Sequence, residues 1–228
     1  MKLFSLNGSI EFRDTPISRG MLKFGTLDPF NVFDGSGFLS LTTPQSKIIC
    51  YGPAHIDVNA KIKILGNGQI ILGKYVRVRS GVRIICNGSY IKIGDYTGIP
   101  FETQIINSSF HSVYDVTTRE TKRNTLPIEI GSCCWIGNHS SITAGAKLKD
   151  YTIVCEGSYV NKDFTNRQED YQLIGGRPAK LLKTGVRRVF SWDIESKIIA
   201  YFKKNQKQLT FVVPPELNDI INEQTVDF

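Results

Sequence analysis

The chain has 228 residues, 41% of them hydrophobic, enough for one good-sized core with small appendages. Its 28 Lys and Arg against 21 Asp and Glu give a net charge of +7, which suits an anionic polymer, a nucleic acid or a phosphorylated cofactor and equally suits plain solubility. The start, MKLFSLNGSIEFRD, has no apolar run long enough for a signal peptide or membrane span, and the five cysteines form neither a CxxC pair nor a His/Cys cluster at metal spacing, so a reduced cytoplasmic setting without a metal site is expected.

Residues 1–54 carry no regular phase. The stretch RDTPISRGMLKFGTLDPFNVFDGSGF mixes aromatics with Gly, Pro and Asp and reads as strands and loops covering the open end of a regular fold. From Ile56 a six-residue rhythm begins in pieces: IDVNAK, then LGKYVR and VRSGVR from Leu72, then IGDYTG and IPFETQ from Ile93. Small breaks at LGNGQI and CNGSY carry Asn-Gly, which suits turns with positive φ.

The large break is NSSFHSVYDVTTRETKRNT, residues 107–125. It is polar, and it carries His111. A loop of this length inside a regular fold is functional or disordered. The rhythm then resumes without interruption as IGSCCW, IGNHSS, ITAGAK, LKDYTI and VCEGSY, with Ile130, Ile136, Ile142, Leu148, Val154 and Val160 opening successive units. The fifth places, Cys134, Ser140, Ala146, Thr152 and Ser158, are small. A period of six is neither helical nor a plain strand alternation. It predicts a parallel β-solenoid of triangular cross-section, in which the aliphatic residue points inward and stacks on its counterpart in the next coil while the small residue fits the tight corner. A basic cluster, Arg177, Lys180, Lys183, Arg187 and Arg188, comes after the repeats. Beyond it, Ile194, Ile198, Ile199 and Phe202 predict a helix capped by Ser191 or Asp193, and then a tail.

From Ile56 to Lys183 the pattern resembles the hexapeptide-repeat acyltransferases, most specifically from Trp135 of CCWIGN onward. The resemblance implies an all-β fold, a left-handed parallel β-helix with a long active-site loop and a C-terminal α-helix. It divides the chain into a capping or acceptor segment (1–54), the acyltransferase domain (55–183, loop 107–125) and a helix with tail (184–228). It also implies that His111 is the general base, taking a proton from an acceptor hydroxyl during attack on a thioester and returning it to the thiolate. Trp135 matches the family's WIG tryptophan, its separation from His111 agrees with the carbohydrate O-acetyltransferase branch, and its indole N–H is implied to help at the acetyl site.

Acetyl-CoA is the implied donor. Asn138, Glu156, Asn161 and Lys162 correspond to contacting positions in the galactoside acetyltransferases, and GGRPAK resembles the family's closing motif, which implies Lys180 and Lys183 near the nucleotide phosphates. Glu156 stands where a small residue is usual, and TNRQED lengthens the link from Lys162 to Gly175. A homotrimer, a carbohydrate acceptor from a surface polysaccharide or its precursor, and no nucleic acid or membrane span complete the expectation. Three alternatives remain: a xenobiotic acetyltransferase, a non-catalytic scaffold, and a β-helix carbonic anhydrase, for which His55, His111 and His139 are too scattered to hold zinc. Whether Asp115 orients His111 is open.

Overall fold

The computed structural model describes residues 2–26 and 35–214; most of the expected tail lies outside them. The chain divides into two compact units, residues 1–187 and 188–228.

The first unit is a solenoid of stacked turns. Strands β1 (Lys2–Leu6), β2 (Ser9–Phe12) and β3 (Leu22–Thr26) make one turn, and β4 (Phe38–Leu41), β5 (Lys47–Cys50) and β6 (Ala54–Asp57) the next. Then come β7 (Lys61–Leu65), β8 (Gln69–Leu72) and β9 (Val76–Val78), followed by β10 (Arg83–Asn87), β11 (Tyr90–Ile93) and β12 (Gly98–Ile99). The turns closest to the candidate site are β13 (Gln104–Ile106), β14 (Ile128–Ile130) and β15 (Trp135–Ile136), then β16 (Ser141–Thr143), β17 (Lys147–Leu148) and β18 (Ile153–Val154). β19 (Tyr159–Val160), β20 (Leu173–Gly175) and β21 (Lys180–Lys183) finish it. From β1 to β19 every third strand joins the same sheet, and β20 and β21 both extend the third, giving faces of 7, 6 and 8 strands among the described residues; β13 belongs to the first, β14 to the second and β15 to the third. All pairings are parallel except that of β21, which folds back antiparallel on β20.

Parallel stacking in register turns the hexapeptide spacing into continuous aliphatic rows. On the first face Leu39, Ile62, Ile84, Ile105, Ile142 and Val160 are successive ladder partners, and all are buried. Each such side chain contributes about 1.5–3 kcal/mol of burial. The small fifth places are buried as expected and satisfy their own corners: Thr152 Oγ1 donates to Lys149 O at 2.8 Å and Ser158 Oγ to Cys155 O at 2.6 Å. The second-to-third corner repeats a left-handed residue, Tyr75, Tyr96, Cys133 and Tyr151, at φ 56, 56, 58 and 61°. Their N–H groups donate to the coil before, to Pro53, Lys74, Asp95 and Ser132 carbonyls, at 2.6–2.8 Å. Those bonds offset a conformation that costs about 1–2 kcal/mol in a residue with a Cβ.

Residues 1–54 differ from expectation. Their described strands do not lie over the solenoid; β1, β2 and β3 pair in parallel with β4, β5 and β6 and are coils of the same helix. The six-residue phase is lost there because nine residues separate β2 from β3, more than at the corresponding corners above, while the strands keep their places in the ladders.

The second unit contains α1 (Trp192–Lys204). Ser191 is its N-cap, with Oγ accepting from the Ile194 N–H, Asp193 and Glu195 stand in its first turn and Lys203 and Lys204 in its last, each suited to the helix dipole. Tyr201 packs against Phe211 with ring centroids 4.9 Å apart. No helix among the described residues is long and apolar enough to cross a membrane.

Candidate active site

The first candidate element is the arm at residues 107–127, which leaves the solenoid where the chain passes from β13 on the first face to β14 on the second. Its root is fixed. Asn107 is fully buried, and its amide pairs with both backbone groups of Asn87 in the preceding coil, accepting from N at 2.7 Å and donating to O at 3.3 Å. The Leu126 N–H closes on Asn107 O at 3.1 Å and the Ser109 N–H on Asn124 O at 3.1 Å. Above that root the arm is a loose hairpin with one further bridge, Tyr114 to Thr121, and residues 109–123 are all exposed.

His111 stands just above the root. Phe110 before it is left-handed (φ 63°), and Ser109 Oγ donates to the His111 carbonyl at 2.9 Å. The imidazole has no hydrogen-bond partner among the described residues. Asp115 is not that partner: its Oδ1 accepts the Thr117 and Thr118 N–H groups at 2.7 and 3.0 Å, which hold its carboxyl below the ordinary range and shape the tip of the arm. Phe110, Val113, Tyr114 and Val116 leave apolar surface exposed along the arm.

The second element is a shallow groove of about 220 Å³ on the third face, lined by Trp135, Gly137 and Asn138 of one coil and Ile153, Cys155 and Glu156 of the next. Trp135 is 49% exposed on β15, an outward position next to inward Ile136. Gly137 is required by closeness: an added Cβ would lie 2.3 Å from the Glu156 backbone N. Cys155 is the one cysteine not buried. The Cys133 and Cys134 thiols are pushed up by burial to about 11 and about 12, which leaves them inert as nucleophiles.

The remaining sequence candidates are spread over the solenoid. Asn161 and Lys162 come after β19 at the first-to-second corner, the corner that carries the arm, and Lys162 Nζ lies 5.2 Å from the Phe164 ring centroid. Lys180 and Lys183 are exposed at the two ends of β21. Arg177 approaches the groove, with Nη1 donating to Gly157 O at 3.2 Å, whereas Arg187 lies over the Tyr151 ring at 5.8 Å. The three histidines are on separate elements: His55 buried on β6, His111 on the arm and His139 at the third-to-first corner. No group of His, Cys, Asp or Glu able to hold a metal occurs among the described residues.

No protein-family model matches the chain. Over 116 residues, 50% of its length, it is 29% identical to a probable macrolide acetyltransferase of Lysinibacillus sphaericus and 28% identical to a chloramphenicol acetyltransferase of Klebsiella aerogenes. The matched stretch is 59% and 51% of those proteins, so the chain spans little more than half the length of these curated relatives. Among solved structures, the polySia-specific acetyltransferase NeuO is similar with a TM-score of 0.60 at 19% identity, over 78% of this chain and 76% of that one. The polysialic acid O-acetyltransferase OatWY gives 0.50 at 16% identity, over 82% and 89%. A variant of the N-acyltransferase AntD from Bacillus cereus, in complex with dTDP and coenzyme A, gives 0.53 at 15% identity, over 89% and 92%.

The fold is that of the left-handed hexapeptide-repeat acyltransferases. Within this acyltransferase fold the two candidate elements stand apart. The His111 arm leaves the first-to-second corner, and the Trp135 groove runs across the third face to the third-to-first corner.

Proposed function

We propose that the chain is an acetyl-CoA-dependent O-acetyltransferase acting on a hydroxyl of a sugar in a surface polysaccharide or its precursor, and that it works as a homotrimer. The observation that carries this reading is the division of the site: an exposed histidine arm on one corner and an open half-groove with an exposed tryptophan on another. About 220 Å³ is small beside the 300–1,000 Å³ of ordinary ligand pockets. A second wall is needed, and the arm of a neighbouring copy, with exposed Phe110, Val113 and Val116, supplies it.

In this reading acetyl-CoA lies along the groove with its thioester at Trp135. Asn138 and Glu156 line the pantetheine path, with Gly137 keeping that wall low. Asn161 and Lys162 share the arm's corner and so reach the same groove from the partner copy. Lys180 and Lys183, beyond β20, lie toward the nucleotide phosphates. His111 takes the proton of the acceptor hydroxyl as its oxygen attacks the thioester carbonyl carbon. The Trp135 indole N–H helps hold the oxyanion. The C–S bond then breaks, and the imidazolium returns the proton to the thiolate, releasing an O-acetyl ester and free coenzyme A.

The second reading, a xenobiotic acetyltransferase, is favoured by the two curated relatives named above, a probable macrolide acetyltransferase and a chloramphenicol acetyltransferase. Thiol release from acetyl-CoA separates the two. Wild type and His111→Ala are compared with a pool of bacterial oligosaccharides, with chloramphenicol and with a macrolide. Saccharide-dependent release lost in the variant supports the first reading. Release with the antibiotics alone supports the second, and release equal in both proteins removes His111 from the mechanism.

A further inference from the structure

The groove at Trp135 has two ends. Toward the C-terminal coils it passes Glu156 and reaches Gly157, where an added Cβ would meet no atom within 4 Å. Toward the N-terminal coils, the ladder partner of Trp135 is Gly98, and a Cβ there would likewise meet nothing within 4 Å. Trp135 therefore has groove-lining Ile153 as its ladder partner on the C-terminal side and a bare surface on the Gly98 side, and a second substrate can approach from the side that the coenzyme does not use.

The coil that begins at Gly98 ends at the third-to-first corner in Glu102. Its Oε2 lies 3.1 Å from Nδ1 of His139, the corner residue of the next coil and the neighbour of groove-lining Asn138. Both are left-handed, at φ 55 and 56°, so they stack at equivalent corner positions, while the coils on either side have Gly81 and Gly157 there. The Glu102 side chain leans over Gly81, where an added Cβ would come within 3.0 Å of Glu102 Cγ. A carboxylate facing Nδ1 at this distance favours a proton on that nitrogen, and in the uncharged ring Nε2 is then the acceptor, on a half-exposed side chain. The proposed transfer chemistry uses neither residue.

Resting on the groove as an acetyl-CoA site, the geometry points to the coil from Gly98 to Glu102, together with His139, as the acceptor subsite. The acceptor enters over Gly98 beside Trp135. One of its hydroxyls, on a ring beyond the reacting one, donates to His139 Nε2, and Glu102 is the positioning residue that holds the imidazole. His139 lies at the third-to-first corner beyond Trp135, off the face that carries the reacting centre, so the hydroxyl it receives is placed on a ring beyond the reacting one. The ligand class is an oligosaccharide of two or more units.

The test uses the full chain, acetyl-CoA, and an oligosialic acid digest beside free sialic acid as acceptors, with coenzyme A affinity measured by calorimetry. His139→Asn tolerates the left-handed backbone and keeps an amide able to donate to Glu102, but has nothing at the Nε2 position. It is expected to lower the ratio of oligosaccharide to monosaccharide kcat/KM about tenfold, the loss of one hydrogen bond. His139→Gln, which restores a polar atom farther out, recovers part of that ratio, and Gly98→Phe blocks saccharide use while coenzyme A still binds. With three histidines in the chain, nitrogen-15 NMR resolves the His139 ring, which is expected to carry its proton on Nδ1 and to lose that preference in Glu102→Gln. An unchanged ratio in His139→Asn, or the proton on Nε2, overturns the proposal. Where neither acceptor turns over, the tautomer decides. Wild type that binds no coenzyme A would instead break the reading of the groove, a failure the NMR result does not share.

Discussion

The coils and the arm obey opposite rules. In the coils, from β1 to β19, every third strand finds a parallel partner, Ile105 and Ile142 are fully buried ladder partners, and small residues close the corners. In the arm, residues 109–123 are exposed, and the hairpin is tied by its root, one bridge and a few local hydrogen bonds near its tip, with no buried side chain between them. Stability resides in the first region and the candidate base, His111, in the second, so each can be broken without the other.

The largest effect is expected at His111. His111→Ala should lower acetyl transfer by about 10²–10⁴-fold, the usual contribution of a general base, with the thermal midpoint unchanged. Ile142→Ala should cost about 2–5 kcal/mol in denaturant unfolding, because it opens a cavity in a continuous row, and activity should fall only as far as the folded fraction does. Gly137→Ala forces a Cβ to 2.3 Å from the Glu156 N, and this overpacking should cost about 1–3 kcal/mol and weaken coenzyme A binding in calorimetry. In the arm, Val116→Ala should change stability by no more than about 0.5 kcal/mol; a larger loss would mean that the arm belongs to the core.

A pH titration sharpens the comparison within the coils. Desolvation, then Lys23 and Arg77, hold the His55 imidazole down from 6.5 to about 4. Its folded pKa lies below its unfolded one, so stability present above pH 6.5 should be lost as pH falls toward 4 while the unfolded chain takes the proton. His55→Asn should flatten that window in unfolding curves measured from pH 7 to 4.

Much of the solenoid was legible because one residue in six had a fixed task. Ile130, Ile136, Ile142, Leu148, Val154 and Val160 are all inside, and the small residues four places after each of the first five are all buried. The first coils were not legible, because a long corner between β2 and β3 broke the phase while the ladders continued. The sequence marked Trp135, Asn138 and Glu156, and stacking gathers these into one groove. It could not mark the Glu102–His139 pair, which exists only because two distant corners superpose. Nor could it show that His111 and Trp135 stand on different corners, since that depends on which face each strand joins.

Whether one copy's His111 serves another copy's Trp135 groove is tested most directly by co-expressing two inactive variants. His111→Ala and Trp135→Ala, each inactive or nearly so alone, are produced together with different affinity tags, and oligomers carrying both tags are isolated for thiol release from acetyl-CoA. Every mixed trimer of these two variants has about one interface in three with both side chains intact, so a site shared between copies should recover about a third of wild-type activity. Mixed oligomers no more active than either parent would return both residues to a single chain.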